Sequence, residues 1–385
     1  MTIYFNKAVC IFRNNRVARL SILFLILVSV QSCKSTTALM KKDASLTDAQ
    51  ATPETKYLFN RIKEMAKQGY AFGHQDATAY GMGWKNAGRE YRSDVNDVAG
   101  DYPAVYGFDI GHLELGNIQN LDTVNFGQMK ALIQKAHKKG GIITLSWHAD
   151  NPISDGSTWD TTAVVKHIIK GGSLHTPYRA WLLRVADFLN DLRDKRGNAI
   201  PVVFRPYHEM NGSWFWWGEG NCTPEEYKTL WRETVDILSK EFGVHNVIYA
   251  YSPNGLNDAK DFLRYYPGDD YVDMLGLDIY QHGTTEEFVE KLRRDIPLLK
   301  KIALEKDMPY ALTEVGLNTI PVPDWWTQVF DKEMADTGIA WALFWRNAWP
   351  DHYFAPFTGQ GSSEDFVRFK NLPHVLFLDE VKKIR

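Results

Sequence analysis

In the segment Arg205-Pro206-Tyr207-His208-Glu209-Met210-Asn211-Gly212-Ser213-Trp214-Phe215-Trp216-Trp217-Gly218, a carboxylate follows a histidine, precedes an amide by two places, and is trailed by three tryptophans. Sugars stack their C–H faces on flat aromatic rings, and glycosidic bonds are cut by carboxylic acids whose pKa the surroundings have raised. An ordinary core also uses Trp, Phe and Tyr, so this segment becomes decisive only with a second carboxylate. The residues just before it, Ala199-Ile200-Pro201-Val202-Val203-Phe204, form an apolar run of strand length. Glu209 therefore falls at a strand's C-terminal end.

The second carboxylate is Glu314, in Thr313-Glu314-Val315-Gly316 at the end of another apolar run. Arg205 and Tyr280 are donors able to keep it ionised, which suits a nucleophile. Trp214 and its neighbours are expected to desolvate Glu209 and raise its pKa, which suits a general acid/base. Two carboxylates about 5 Å apart support double displacement with retention, whereas about 6.5 Å or more leaves room for a water and inversion. His74-x-Asp76 and His148-x-Asp150 each pair a histidine with an aspartate, but no short-spaced His-x-His or His-Glu-x-x-His cluster accompanies them. Neither a catalytic metal nor a cofactor is expected.

Eight short apolar runs could position these groups. They end at His74, Asp109, His148, Glu209, Ser252, Asp278 with Tyr280, Glu314, and Trp345 with Arg346. Stretches of helical spacing separate them, among them Phe126 to Lys139, Tyr178 to Lys195, and Pro224 to Phe242, the last opened by Thr223 with Glu226 three places on. Repeated βα units of this number predict a closed (β/α)8 TIM barrel, whose strand ends converge on one mouth and carry the chemistry. No Gly-x-Gly-x-x-Gly turn follows a strand, so a nucleotide-binding open sheet is disfavoured. In a barrel the fourth and seventh strands face each other, which brings Glu209 and Glu314 to one bond. The loops at 110–125, 149–176 and 347–364 are expected to shape the outer parts of the cleft.

His208-Glu209-Met210-Asn211-Gly212 with Trp214-Phe215-Trp216-Trp217, Glu314 in its Thr-Glu-Val-Gly strand, Asp278-Ile279-Tyr280 and Trp345-Arg346 together resemble glycoside hydrolase family 26, mainly endo-β-1,4-mannanases. The resemblance covers residues from about 52 to 385. It implies retaining chemistry on mannan, galactomannan or glucomannan, with Glu209 as acid/base and Glu314 as nucleophile. It further implies that Tyr280 hydrogen-bonds the nucleophile, that His208 and His148 contact the sugar on the glycone side of the bond, and that Asp278 is a supporting carboxylate. Trp214 and Trp345 match aromatic positions at the cleavage site and Arg346 a polar contact there. Arg205 and His74 complete the expected substrate-binding set. Other specificities of the same scaffold, β-1,3-xylanase or mixed-linkage β-glucanase, remain open, as does a non-catalytic glycan-binding lipoprotein.

The composition agrees with a large aromatic-rich domain. The chain has 385 residues, a net charge of -3 and 13% aromatic residues, including 13 Trp and 18 Tyr. Without a basic face, nucleic acid is not an expected partner. Lys7, Arg13, Arg16 and Arg19 precede the apolar stretch Leu20 to Val30, and Val30-Gln31-Ser32-Cys33 resembles a bacterial lipobox. Residues 1–33 are therefore read as a lipoprotein signal, 34–52 as a tether, and 53–385 as the catalytic domain. The expected product is an exported bacterial lipoprotein held by a lipid on Cys33 in the outer membrane, monomeric, with a β-mannan as its partner.

Overall fold

A computed structural model of the chain describes residues 46–86 and 91–384. The signal and tether residues 1–45 lie outside them. Eight strands occur where the apolar runs predict them: β1 (Tyr70–Gln75), β2 (Val105–Asp109), β3 (Ile142–Trp147), β4 (Val202–Pro206), β5 (Val247–Tyr251), β6 (Met274–Gln281), β7 (Tyr310–Leu317) and β8 (Trp341–Phe344). Their β-branched and aromatic content, as in Val202-Val203-Phe204 and Val247-Ile248-Tyr249, suits a pleat packed on both faces. Each pairs in parallel with the next, and β8 returns to β1 through Ala71↔Trp341 to His74↔Phe344. The sheet is thereby closed, and the expected (β/α)8 barrel is the observed fold.

Alternation along the strands divides the interior into two parts. Odd positions of β4 and even positions of β5 point inward, so Val203 and Ile248 join Ala71, Val105, Met274, Ala311, Trp341 and Leu343 in one apolar plug. All eight are at most 2% exposed. Toward the C-terminal ends of β2 to β7 the inward positions become polar, and that upper layer forms the site. The outward positions, such as Phe72, Phe204, Tyr249 and Phe344, pack against the helices in a separate, larger cluster.

The expected helices are present, with adjusted ends. The first is Phe126–Lys138, with Lys139 as its C-cap. The second begins earlier than expected and stops earlier, spanning His175–Asp191, because Asp194 to Asn198 form a turn in which the Asp194 carboxylate accepts the Arg196 and Asn198 amides. The third runs Pro224–Asp236 and continues as a wider π-turn over Ile237–Glu241. Its capping box is complete: Glu226 N donates to Thr223 Oγ1 at 3.2 Å and Thr223 N to Glu226 Oε2 at 2.8 Å.

The described residues also include 46–52, the last part of the expected tether. Leu46 and Ala51 are buried, His245 and Asp48 pair at 2.7 Å, and Thr47 N donates to Asp273 Oδ1 at 2.5 Å. His245 and Asp273 immediately precede β5 and β6, so residues 46–52 are held on the face opposite the mouth.

Candidate active site

The upper interior layer contains Asp109, Ser146, Arg205, Ser252, Asp278, Thr313 and Glu314, all buried. A register shift in the β6–β7 ladder arranges the last three. Leu277 faces Leu312, but Asp278 faces Glu314, leaving Thr313 as an extra residue. A bulge of this kind re-aims side chains. Here it lets consecutive residues serve one site: Thr313 Oγ1 donates to Asp278 Oδ1 at 2.7 Å, while Glu314 reaches Arg205 and Tyr280.

Glu314 is held by strong donors. Arg205 Nη2 donates to Glu314 Oε1, and the Tyr280 hydroxyl donates to Oε2 at 2.6 Å. The other arm of Arg205 donates from Nη1 to Asp278 Oδ2 at 2.7 Å and to Ser252 Oγ at 3.1 Å. Burying this guanidinium is costly unless its charge is met. Asp278 and Glu314 meet it, and the fork in turn fixes both carboxylates.

Glu209 is held differently. It lies three residues beyond β4, in a turn where Tyr207 and Glu209 adopt left-handed backbone with φ of 49° and 54°. Such conformations cost about 1–3 kcal/mol each in non-glycine residues and persist where surrounding contacts enforce them. The contacts are visible: Glu209 N donates to Ser252 O at 2.8 Å, and the buried Tyr207 side chain hydrogen-bonds Thr234 Oγ1 at 2.8 Å. The carboxylate accepts from Trp214 Nε1 at 2.8 Å and from Asn254 Nδ2 at 2.9 Å. Burial, reinforced by the charge of Glu314, pushes Glu209 up to about 7, against the pull of Asn254, Arg205 and Trp214.

The raised pKa of Glu209 thus has a different origin from the one its sequence suggests. Trp214 is 39% exposed, and its indole N–H favours the ionised carboxylate. Enclosure in the barrel mouth and the neighbouring glutamate raise the pKa. Gly212 is needed for this contact, since a Cβ there would lie 2.2 Å from the Trp214 ring.

A second chain of groups links β2 to the glutamates. Asp109 Oδ2 and His148 Nδ1 are 2.6 Å apart, the His148 and His208 rings meet edge to face at 4.6 Å, and His208 Nε2 is 3.9 Å from Glu314 Oε1. Burial works to raise Asp109, but His148, Ser146 and the Gly111 amide hold it down at about 2. Burial likewise opposes a charged His148, and Asp109 prevails and raises it. His208 is driven well below its ordinary value by burial, Arg205 and His148, and is neutral. Trp345 joins this group, its ring 6.1 Å from His148.

Two expected residues lie apart. His74 shares the outward face of β1 with Phe72, so its side chain turns toward the helix layer, whereas Gln75 has the inward parity. Burial lowers His74 to about 3, and no hydrogen bond described joins it to the carboxylates. Arg346 sits on the rim, bonded to Asp122 and lying 5.4 Å over the Trp349 ring. With Tyr80 and Lys85 these residues line a cavity of about 260 Å³. Trp216 and Trp217 are fully buried and donate to Ala149 O and His208 O at 2.9 and 2.7 Å. They support the floor of the site and offer no ring face to a sugar.

Oxygens of Glu209, Asp278 and Glu314 lie within 4.8 Å of one another, a spacing that could accept a cation. Arg205 already donates to two of the three, so the positive charge is supplied by the protein. The two His-x-Asp pairs do not converge: His148 pairs with Asp109, Asp150 lies 3.7 Å from His112, and Asp76 accepts from Tyr80. Sequence reasoning missed Asn254, two places beyond the recognised strand end Ser252, and Trp159, a 53% exposed ring stacked 5.6 Å from His148. Reading past each strand end into its loop would have found both.

A parallel eight-stranded barrel with an arginine-held glutamate and a second, buried glutamate over its mouth is the construction of a barrel glycosidase. Comparison with known proteins narrows this class. Residues 47–305 match the family model for glycosyl hydrolase family 26, and the chain belongs to that family. It is 36% identical over 282 residues to a mannan endo-1,4-beta-mannosidase of Bifidobacterium adolescentis, a match covering 71% of this chain and 28% of that protein. A Bacillus subtilis protein of the same name is 31% identical, with 71% of this chain and 73% of its own length covered. The solved structure of a GH26 beta-mannanase from Bacteroides ovatus superposes with a TM-score of 0.84 at 43% identity, covering 87% of this chain and 98% of that one.

Proposed function

We propose that the protein is a retaining endo-β-1,4-mannanase acting on mannan, galactomannan or glucomannan. The observation that carries the reading is the approach of Glu209 and Glu314 oxygens to within 4.8 Å. It falls near the ~5–5.5 Å of retaining enzymes and well short of the ~6.5–9.5 Å that accommodates a water for inversion. The names of the family relatives support the substrate.

Glu314, held between Arg205 and Tyr280, attacks the anomeric carbon. Glu209, protonated near neutral pH, delivers its proton to the departing glycosidic oxygen. The C–O bond breaks as the ester bond to Glu314 forms. Glu209, now ionised and stabilised by Trp214 and Asn254, takes a proton from water, whose oxygen attacks the anomeric carbon as the C–O bond to Glu314 breaks, regenerating that carboxylate and releasing a sugar of the original β configuration. In this reading His208 and the Asp109-bound His148 contact the sugar hydroxyls, with Trp214, Trp345 and Trp159 as the aromatic walls; the proximity of both histidines to the glutamates supports it.

Proton NMR of fresh mannan hydrolysates is the test, with β-anomers expected first. Inverted products, or an undiminished rate in Glu314→Ala, would refute the reading. A polysaccharide panel completes it: activity on β-1,3-xylan or mixed-linkage glucan without mannan would change the substrate, and tight mannan binding with no reducing ends released would make the protein a glycan-binding one. We further propose export as a lipoprotein, supported by the basic residues, apolar stretch and Val30-Gln31-Ser32-Cys33 at the start of the chain. Labelled fatty acid should enter the wild type and be lost in Cys33→Ala; equal labelling of both would contradict this.

A further inference from the structure

Of the two donors to Glu209, one is on an exposed wall and the other is built into the fold. Trp214 is 39% exposed. Asn254 is clasped by Asn211 in both directions: Asn254 N donates to Asn211 Oδ1 at 2.8 Å, and Asn211 Nδ2 donates to the carbonyls of Asn254 at 2.6 Å and Gly255 at 3.0 Å. The same loop is tied to β6, with Asp278 N donating to Pro253 O at 3.0 Å and Gly255 N to Asp278 O at 3.2 Å. Its far side is closed by Leu256 N donating to Asp295 Oδ2 at 3.1 Å. The loop after β5 therefore connects the Glu209 turn, through Asn211, to the Asp278–Arg205–Glu314 group.

We infer that Asn254 is a positioning residue of the proton-transfer step: its backbone is clasped by Asn211, so that its side-chain amide fixes the Glu209 carboxyl at Oε1 while Trp214 bonds Oε2. The inference rests on the proposed glycosidase reading and extends it to a residue that need not touch the sugar. A neutral N–H donor opposite Oε1 favours the ionised carboxylate that the second half-reaction uses as a base, and it sets the orientation from which the proton leaves in the first. The charged and titratable groups facing Glu209 are Arg205 from β4, Asp278 and Tyr280 from β6, Glu314 from β7, and Lys291 from the helix Thr285–Lys306. Asn254 acts on top of that fixed field.

The test compares Asn254→Leu, Asn254→Asp and Asn211→Leu with the wild type. Reading kcat/KM against pH, Asn254→Leu should move the alkaline limb to higher pH and lower the rate on mannan about tenfold. Asn254→Asp, which sets a second carboxylate against Oε1, should move the limb further in the same direction. Asn211→Leu, which only loosens the clasp, should move it less and keeps the question open to measurement if the Asn254 variants fail to fold. On a dinitrophenyl β-mannobioside, whose leaving group needs no proton, the loss should be under about twofold. A merely structural role predicts equal losses on both substrates with the limb unmoved, and that result would overturn the inference. A carbon-13 titration of Glu209 separates this outcome from failure of the mannanase reading. A wild type inert on mannan sinks that reading, whereas a Glu209 midpoint unchanged by Asn254→Leu sinks this one.

Discussion

Glu209 and Glu314 are the same residue type at the same barrel mouth, held in opposite ways. Glu314 sits within a strand, aimed by a bulge, with a guanidinium on one oxygen and a phenol on the other. Glu209 stands beyond its strand in a left-handed turn, with only an indole and an amide as donors and with Glu314 itself as a neighbour. A fixed positive charge suits a group that must stay ionised. Burial beside a like charge suits one that must carry a proton and then lose it. The difference lies in the supports, so altering either glutamate or its supports should expose it.

The largest effect is expected from Glu314→Ala, which removes the nucleophile. Turnover of mannan should fall on the order of 10⁵-fold or more, with folding retained by circular dichroism. Next is Glu209→Gln, with a loss of about 10²–10⁴ on mannan. A dinitrophenyl glycoside should still react in the first half-reaction and stall in the second, seen as a burst of dinitrophenolate. Equal loss in both half-reactions would erase the distinction between the glutamates. Tyr280→Phe should cost about tenfold or somewhat more, the value of one hydrogen bond to a charged group, and should affect formation of the intermediate.

The smallest expected effect concerns stability. The folded pKa of Glu209 is raised from an ordinary 4.5 to about 7, so the folded state binds the proton more tightly than the unfolded chain. Its destabilising contribution is absent below about pH 4.5, grows as pH rises, and is complete above about pH 7. Glu209→Gln should therefore stabilise the protein by about 2–3 kcal/mol at pH 8 and by much less at pH 4, provided the amide keeps its partners. Thermal melts at the two pH values check this. A gain at pH 4 equal to that at pH 8 would contradict it.

The barrel was legible because eight apolar runs of strand length, each ending in a polar or aromatic residue, leave few other architectures. The glutamate pair was legible because the ends of strands four and seven, three places apart around the ring of eight, converge on one mouth. Three things were not. Whether a strand-end residue faces in or out depends on parity relative to the core: His74 shares the face of Phe72 and turns away, while Asp109 and Arg205 turn in. The bulge that places Asp278 opposite Glu314 is a matter of register between strands, which a single chain does not display. Trp214 is expected from the sequence to raise the pKa of Glu209 by covering it, but an exposed ring that donates a hydrogen bond lowers a carboxyl's pKa where a covering ring would raise it. Trp216 and Trp217, equally conspicuous in the sequence, are supports for the His208 and Ala149 backbone.

The contrast between the two glutamates is tested most directly by trapping the intermediate. A 2-deoxy-2-fluoro mannobiosyl fluoride slows both half-reactions while keeping an excellent leaving group, so the ester should accumulate and can be located by peptide mass spectrometry. The sugar is expected on Glu314. Attachment to Glu209, or rapid release of an inverted product with no adduct on either residue, would contradict the account.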